Sequence, residues 1–269
     1  MSAVQQQAGT DRRQFLRRGA TAGAGVVAGV SGLGMLAPAF AAAKGGGVTS
    51  GDVAIVGAAQ IAEALAVTTY TNIIDRSPFF KRLPDDDQGY LVAARQEEMS
   101  HYALEMSVTG KPAAFTTFYY PHKMFHDAQT TLNVLVSLED AFIAAYLVGV
   151  RNFSTPDLRV LAARIMGIES DHRTLARVLG GEVSRKDGGP IEKITGVQGK
   201  AESIDPPNNN GYERTLKWTK ISQAVDALTP FADKAAAAKA GFDTSKPYHF
   251  KPFTPRLPEP LGAFHSFAG

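Results

Sequence analysis

Four long segments of the chain have the period of an amphipathic helix, and each contains a glutamate where its apolar stripe should continue. The segments cover residues 52–75, 88–109, 127–152 and 154–180. Each holds more than twenty residues, so each helix spans roughly 30 Å at about 1.5 Å per residue. Helices of matched length with apolar stripes pack side by side as a bundle, which predicts an all-α fold.

Start and stop signals separate these helices. Pro78 follows the first segment and Gly110 the second, while Pro156 opens the fourth and Gly180 closes it. Short connections join the first helix to the second and the third to the fourth. The second and third are separated by an aromatic-rich stretch of about sixteen residues, 110–125. We therefore expect a ferritin-like four-helix bundle of two hairpins joined by a long crossover.

The acidic residues and two histidines follow a regular order along the four helices. In chain order they are Glu63, Glu98 with His101, Glu139, and Glu169 with His172. Residues three apart share a helix face, so each Glu-x-x-His pair sends a carboxylate and an imidazole inward together. Unpaired buried carboxylates are costly, and two divalent cations would neutralise them. The pattern predicts a site for two metal ions, iron or alternatively manganese.

The two halves of the pattern suggest distinct ligand roles. We expect Glu98 and Glu169 to bridge both metal ions, and Glu63 and Glu139 to bind one ion each. Each histidine would be the last protein ligand of one ion, and the remaining coordination positions would be open to water, oxygen or peroxide. Glu97 is a rival ligand to Glu98, but Ile168 occupies the corresponding place in the second half, which favours Glu98.

Several neighbouring residues have open interpretations. Tyr70 and Tyr146 each follow a lone glutamate by seven residues, and they could bond to ligand carboxylates, relay electrons or pack as core tyrosines. Tyr102 and Asp171 are either supports for the ligands or helix-surface residues.

Two further histidines, His122 and His126, are four residues apart within the crossover. Spacing alone is a weak metal signal, so we interpret them as a capping or packing pair.

The first 41 residues have the three parts of a secretory signal. Arg12 and Arg13 are followed by Phe15 and Leu16, then by an apolar run at 19–37 and the small residues Ala39 and Ala41. The segment resembles a twin-arginine export signal. A retained membrane anchor is the alternative, but the six glycines in the run favour cleavage. We expect export, a mature chain beginning near Ala42, and no stable membrane insertion after cleavage.

The chain after the bundle is less regular. Residues 181–210 are polar and rich in glycine, proline and asparagine, which predicts a surface loop. A helical segment is expected within 211–240, ending before Pro230, with Leu216, Ile221, Ala224, Val225 and Leu228 on one side. Prolines and aromatic residues alternate in the tail, 241–269, which predicts an extended strap across the bundle.

Composition excludes several classes of function. The chain has no cysteine, so disulfides, thiolate metal sites and iron–sulfur clusters cannot form. The formal net charge is +2, and four of the basic residues lie in the leading segment. A neutral body without a basic run argues against nucleic-acid binding.

The ligand pattern over residues 52–180 resembles the ferritin-like di-metal carboxylate superfamily. Among its branches the chain is most similar to exported ferritin-like proteins related to desiccation-associated proteins. The resemblance implies redox chemistry on oxygen or peroxide, either ferrous-iron oxidation or peroxide removal, and it is compatible with a homo-oligomer. Two other hypotheses are a non-catalytic metal-binding or stress-protective protein of the cell envelope, and a bundle whose ligands are relics.

Overall fold

The computed structural model describes residues 47–179 and 217–256. The predicted export signal, the predicted loop at 181–210, Leu216 and the end of the tail lie outside the described residues. The elements in chain order are α1 Ser50–Arg76, α2 Asp85–Thr109, β1 Thr117–Pro121, α3 Ala128–Asn152, α4 Pro156–Leu179, α5 Ile221–Ala232, α6 Lys234–Lys239 and β2 Phe242–His249, with a 3₁₀ turn at Phe80–Arg82.

The first four helices form a bundle of two hairpins, α1–α2 and α3–α4, as the sequence predicts. Across the hairpins, α1 lies beside α3, and α2 beside α4. Residues 63 and 70 of α1 contact residues 146 and 139 of α3, so these two helices run antiparallel. The crossover therefore returns the chain along the bundle before α3 begins, and this wiring brings the middle of all four helices together.

The connection inside the first hairpin is less polar than its sequence suggests. Phe79, Phe80 and Leu83 are buried there. The helix α2 begins at Asp85, three residues earlier than residue 88, where we expected it. Asp85, Asp86 and Asp87 occupy its first turn, where carboxylates interact favourably with the helix dipole.

The interior contains two apolar clusters. The main core lies at the end that carries the sheet and includes Leu65, Phe118, Phe125, Leu132 and Phe142. The distal core consists of Val56, Ala59, Leu104, Tyr146, Phe153, Leu158, Ala162 and Ile165.

Burial of α1 is wider than the predicted stripe. Ile55 is only half-buried, whereas every residue from 59 to 70 is buried. The prediction of a single buried stripe was too narrow because α5 packs on the face of α1 that the other three bundle helices leave uncovered.

Within residues 47–179 and 217–256, two helices, α1 and α3, are long and apolar enough to cross a membrane. Their most apolar stretches are 72% and 61% buried within the protein, as the core helices of a bundle are.

A carboxylate joins the start of α1 to the α3–α4 turn. Asp52 accepts hydrogen bonds from the backbone N–H and hydroxyl of Thr49, and from the backbone N–H of Ser154 at 2.9 Å. Together with Thr49 it forms a capping box. Burial raises the pKa of Asp52, but these hydrogen bonds outweigh it and keep the pKa below its ordinary value.

The crossover and the tail pair with each other, which the sequence did not predict. Strands β1 and β2 form an antiparallel two-stranded sheet, with Thr117 opposite His249 and an irregularity between Phe118 and Tyr120. Phe118 and Tyr120 are buried, since their side chains point into the main core. After β2 the described part of the tail stays extended, and the ring of Phe250 packs 4.6 Å from that of Tyr102.

The prediction that the C-terminal helix ends before Pro230 is wrong. Helix α5 includes Pro230 and ends at Ala232. Proline lacks the N–H that would bond to residue 226, yet the backbone N–H of Asp233 still donates to the carbonyl of Thr229 at 2.9 Å. Burial of Leu228 and Ala232 against the bundle holds the last turn in place. A short second helix, α6, follows.

Gly149 marks a close approach between α3 and the distal core. A Cβ atom at this position would lie 2.8 Å from Cε2 of Phe153 and 3.4 Å from Cβ of Ala162. We expect Gly149→Ala to lower the free energy of unfolding by about 1–3 kcal/mol, because the crowding outweighs the gain in helix propensity. Urea unfolding of the purified protein measures the change.

The matched control is Gly167→Ala in α4. Gly167 is exposed, and no atom lies within 4 Å of its added Cβ. This substitution should raise the free energy of unfolding by about 0.4–1 kcal/mol. Equal effects of the two substitutions would contradict the close packing at Gly149.

Candidate metal centre

All six predicted ligand side chains meet in the middle of the bundle. Each of the four helices contributes to the cluster, and every one of these residues is at least 92% buried. Their donor atoms form two groups, within each of which all atoms lie within 4.8 Å of one another: Glu63, Glu98, His101 and Glu169 in the first, and Glu98, Glu139, Glu169 and His172 in the second. That these residues bind metal stays a prediction; their convergence is a feature of the structure.

Glu98 and Glu169 are shared by both groups, and each directs one oxygen toward each histidine. Oε2 of Glu98 lies 3.6 Å from Nδ1 of His101, and its Oε1 lies 2.9 Å from Nδ1 of His172. Oε1 of Glu169 lies 3.1 Å from Nδ1 of His101, and its Oε2 lies 3.3 Å from Nδ1 of His172. This is the arrangement that two bridging carboxylates require.

Glu63 and Glu139 are each held by a tyrosine from the opposite hairpin. The hydroxyl of Tyr70 in α1 donates to Oε1 of Glu139 in α3 at 2.7 Å. Reciprocally, the hydroxyl of Tyr146 in α3 donates to Oε1 of Glu63 in α1. The second oxygen of each glutamate, Oε2, is left facing the centre. Of the open interpretations for the two tyrosines, bonding to the expected ligand carboxylates is what the structure shows.

Both tyrosine hydroxyls remain protonated donors at neutral pH. Burial raises the pKa of Tyr70 well above its ordinary value, and the neighbouring charge of Glu139 raises it further. The pKa of Tyr146 is raised well above its ordinary value by burial and by the charges of Glu105 and Glu63. Both tyrosine hydroxyls therefore remain hydrogen-bond donors to the two glutamates over a wide range of pH.

Glu97, the rival that we set aside as a ligand, supports a ligand instead. Its Oε2 accepts a hydrogen bond from Nε2 of His172 at 2.8 Å. This bond turns Nδ1 of the same ring toward the carboxylate cluster. A carboxylate behind a histidine fixes the orientation of the ring and strengthens it as a metal donor. The half-buried position of Glu97 fits this supporting role.

Burial of several carboxylates together shifts their pKa values in opposite directions. Burial, together with the charges of Glu98 and Glu169, raises the pKa values of Glu63 and Glu139 well above the ordinary range. Burial alone would raise that of Glu98 as well, but attraction to His172 and contacts with His101 outweigh it, and the pKa falls below the ordinary range. Of these three residues, Glu98 thus loses its proton most readily, and Glu63 and Glu139 hold theirs to a higher pH.

The two histidines complete this balance of charge. Burial lowers the pKa of His101, but the carboxylates of Glu169, Glu63 and Glu98 raise it by more. The net shift of this pKa is therefore well upward. The pKa of His172 is likewise raised, because the charge of Glu98 outweighs the effect of burial. Protons on the imidazoles and outer carboxylates therefore occupy the electrostatic role that bound cations would take.

Several carboxylate oxygens in the cluster have no hydrogen-bond partner, which is what a site for two cations requires. Within the described part of the chain, five buried carboxylate oxygens at the centre have no hydrogen-bond partner: Glu63 Oε2, Glu98 Oε2, Glu139 Oε2, and Glu169 Oε1 and Oε2. Buried polar atoms are nearly always paired, so this number at one point indicates missing positive partners. Carboxylate and imidazole donors suit iron or manganese. The cluster is compatible with a di-metal site.

Sequence reasoning missed Glu105. This residue is 3% exposed, and its Oε1 lies 2.7 Å from the hydroxyl of Tyr146, which has one proton to share between Glu63 and Glu105. Burial raises its pKa well above the ordinary value. The signal was its position seven residues after Glu98, which places both on one face of α2. Ala176 stands at the corresponding place in α4, so the two halves of the site differ here.

Tyr102 and Asp171 do not support the ligands. Tyr102 is buried, and its hydroxyl accepts a hydrogen bond from the backbone N–H of Ala113 at 3.1 Å, away from the centre. Asp171 is exposed on the surface of α4. Neighbouring positions in a helix point about 100° apart, so Asp171 cannot share the inward direction of His172.

The interpretation of His122 and His126 as a capping or packing pair is wrong, since Asp127 caps α3. Both side chains are exposed in the turn after β1. The i,i+4 spacing did not place them on one helix face, because the chain forms a turn there in which Lys123 and Phe125 have positive φ.

Replacing Glu97 by glutamine should weaken one of the two metal positions. Only His172 has this carboxylate behind it, and a lost supporting carboxylate costs roughly 10- to 100-fold in metal affinity. We expect binding of one ion per chain to weaken while the other is unaffected, measured by metal titration with elemental analysis. Asp171→Asn is the matched control, since it removes an exposed charge beside His172. Equal weakening of both ions would contradict the assignment.

Metal binding should release protons and weaken as the pH falls. The pKa values of two glutamates and both histidines in the cluster are raised: Glu63, Glu139, His101 and His172. Without metal, these side chains therefore hold their protons to a higher pH than unperturbed carboxylates and imidazoles do. We expect affinity to begin falling at a higher pH than it would for unperturbed carboxylates, because protons compete with the metal for these ligands as the pH decreases. Calorimetry in buffers of different ionisation enthalpy measures the released protons; no dependence on the buffer would contradict the protonated cluster.

Comparison with known families identifies the bundle. Residues 51–182 match the model of the ferritin-like domain, which covers all four bundle helices and all six expected ligands. No curated protein and no solved structure matches the chain. The matched segment ends where the bundle ends, so α5, α6 and β2 lie beyond it. Residues 51–182 are thus similar to the ferritin-like domain, and their four helices enclose a buried cluster of glutamates and histidines.

Proposed function

We propose that this chain is an exported di-iron protein with redox activity on oxygen or peroxide, which either oxidises ferrous iron or removes peroxide. Manganese is the alternative metal, since it accepts the same ligands. The observation that carries the proposal is that Glu98 and Glu169 each direct one oxygen to each of two histidines. A pair of adjacent ions follows from that geometry more directly than a single structural ion does.

Redox chemistry is supported by the chemistry of the donor set. Four carboxylates are hard, anionic ligands and stabilise the higher oxidation state of iron. Two ferrous ions held here would supply two electrons, which with two protons reduce dioxygen to hydrogen peroxide, or hydrogen peroxide to two water molecules. Six protein side chains shared between two ions leave coordination positions for a small oxidant.

The surrounding residues position the ligands and hold protons. Tyr70 and Tyr146 each fix one oxygen of a glutamate, so that the other oxygen faces the centre. Glu105 holds a proton beside the hydroxyl of Tyr146, because burial raises its pKa. A reaction that consumes two protons therefore has a proton donor close to Glu63.

Export is part of the proposal and rests on the leading segment with Arg12 and Arg13. Twin-arginine export carries folded proteins, which suits a protein that acquires its metal before it crosses. Protein recovered from the periplasm or culture medium should begin near Ala42. A chain that retains its N-terminus in the membrane would contradict export with cleavage.

The test of the activity uses the purified mature chain supplied with ferrous iron or manganese. We expect two ions per chain by elemental analysis, absorption typical of oxo-bridged ferric ions after exposure to air, and turnover of oxygen or peroxide. Two bound ions without turnover would favour the non-catalytic envelope protein, because the metal would then have only a structural role. A chain that stays free of metal after supplementation would contradict both hypotheses.

The variant Glu169→Gln tests the bridging role. It should bind fewer than two ions and lose at least about 100-fold in turnover, since both positions share this residue. Oε1 of Glu169 lies 3.1 Å from Nδ1 of His101 and Oε2 lies 3.3 Å from Nδ1 of His172, so the metal-free variant loses two buried ion pairs and should be less stable than the metal-free wild type. Thermal unfolding of both metal-free proteins shows whether a loss of metal reflects unfolding; Asp171→Asn again serves as the control.

A further inference from the structure

A small cavity lies within the distal core, at the end of the bundle away from the sheet. Side chains of all four bundle helices line it, and most are aliphatic or aromatic. The buried lining residues include Val56, Ala59, Phe153, Leu158, Ala162 and Ile165. Half-buried side chains, among them Ile55 and Leu161, stand at its outer side.

The cavity reaches the expected ligands at its inner end. Glu105 and Tyr146 are its two polar lining residues among those described. The hydroxyl of Tyr146 bonds both to Glu105 and to Glu63. Only the tyrosine ring and one carboxylate therefore separate the cavity from the metal position formed around Glu63 and His101.

The size of the cavity restricts it to a very small guest. The space open to the centre of a water-sized molecule is about 20 Å³. Roughly 10–15 Å³ of such space is needed for one molecule. The cavity therefore accommodates one or two molecules of a few atoms at most, and excludes a lipid chain or an aromatic substrate.

Polarity distinguishes between the candidate guests. A buried water needs two to four polar partners. Of the side-chain polar atoms of the described lining residues, one has no hydrogen-bond partner, Oε2 of Glu105, and the hydroxyl of Tyr146 already contacts two carboxylates. Hydrogen peroxide has two O–H groups and more lone pairs than water, so it would leave still more groups unpaired, at about 1–3 kcal/mol each. An apolar diatomic molecule loses no hydrogen bonds when it enters the cavity.

We propose that this cavity binds dioxygen and delivers it to the metal position beside Glu63 and His101. The inference rests on the proposed function and makes its oxidant more specific. Dioxygen rather than peroxide is the oxidant that reaches the metal centre through the distal core. Apolar cavities of this kind stay dry and bind xenon, which gives a probe that does not depend on activity.

Two substitutions in α4 change the cavity in opposite directions. Ala162→Leu fills it, and Ile165→Val enlarges it by one methylene group. Both sit in the same apolar wall and both change core packing, so general destabilisation would move their activities the same way. Ala163→Leu, next to the filled position but not part of the lining, controls for the effect of a larger side chain in α4. Ala162→Val is a milder filling variant if the leucine prevents folding.

The iron-loaded variants are compared for xenon binding and for ferrous-iron oxidation by dioxygen and by peroxide. We expect Ala162→Leu to lose xenon binding and about tenfold in the dioxygen rate, which corresponds to about 1.4 kcal/mol in the barrier. Its iron content and peroxide rate should be unchanged. Ile165→Val should bind xenon and keep a dioxygen rate at or above that of the wild type.

Three results would overturn the inference. They are a normal dioxygen rate in a filled variant that no longer binds xenon, an equal loss of the dioxygen and peroxide rates, and a wild type that does not bind xenon. Iron-loaded wild type that binds xenon and consumes peroxide but never dioxygen would also overturn the inference, while the proposed function would stand. Consumption of neither oxidant would contradict the proposed function, and the assignment of dioxygen would fail with it.

Discussion

Negative charge buried at the centre of the bundle is the constraint on which the rest of this structure depends. Two unit charges about 4 Å apart repel by roughly 4 kcal/mol even at the screened dielectric of a protein surface. Glu98 and Glu169 each lie in contact distance of both histidines, and the outer glutamates face the same point. Such a cluster persists only with positive charge among the carboxylates, either as protons or as bound cations.

The helices around this cluster divide its support between the two hairpins. Tyr70 of the first hairpin holds Glu139 of the second, and Tyr146 of the second holds Glu63 of the first. Neither hairpin therefore completes its own half of the centre. The symmetry is broken in α2, where Glu97 stands behind His172 and Glu105 beside Tyr146, while Ile168 and Ala176 occupy the corresponding places in α4. The two metal positions are thus chemically different, although their expected ligands match in type.

The bundle and the six converging side chains could be predicted because they depend on local rules. Helical period places Glu98 and His101 on one face, and connection lengths restrict which helices are neighbours. The partners of Tyr70 and Tyr146 depend on how far α1 is shifted along α3, which no local pattern specifies. Pairing of β1 with β2 was also inaccessible, since residues in contact there are 132 positions apart. Glu105 was within reach, because its seven-residue spacing from Glu98 repeats a helical face.

The long separation between the two strands has a consequence for the order in which the protein is completed. The bundle helices are synthesised well before β2, so β1 has no partner until the C-terminal part of the chain is made. During that interval its edge exposes free backbone groups, a surface on which other chains can add strands and aggregate. A ribosome that stalls before residue 242, or a protease that removes the tail, would leave a folded bundle with this edge uncovered.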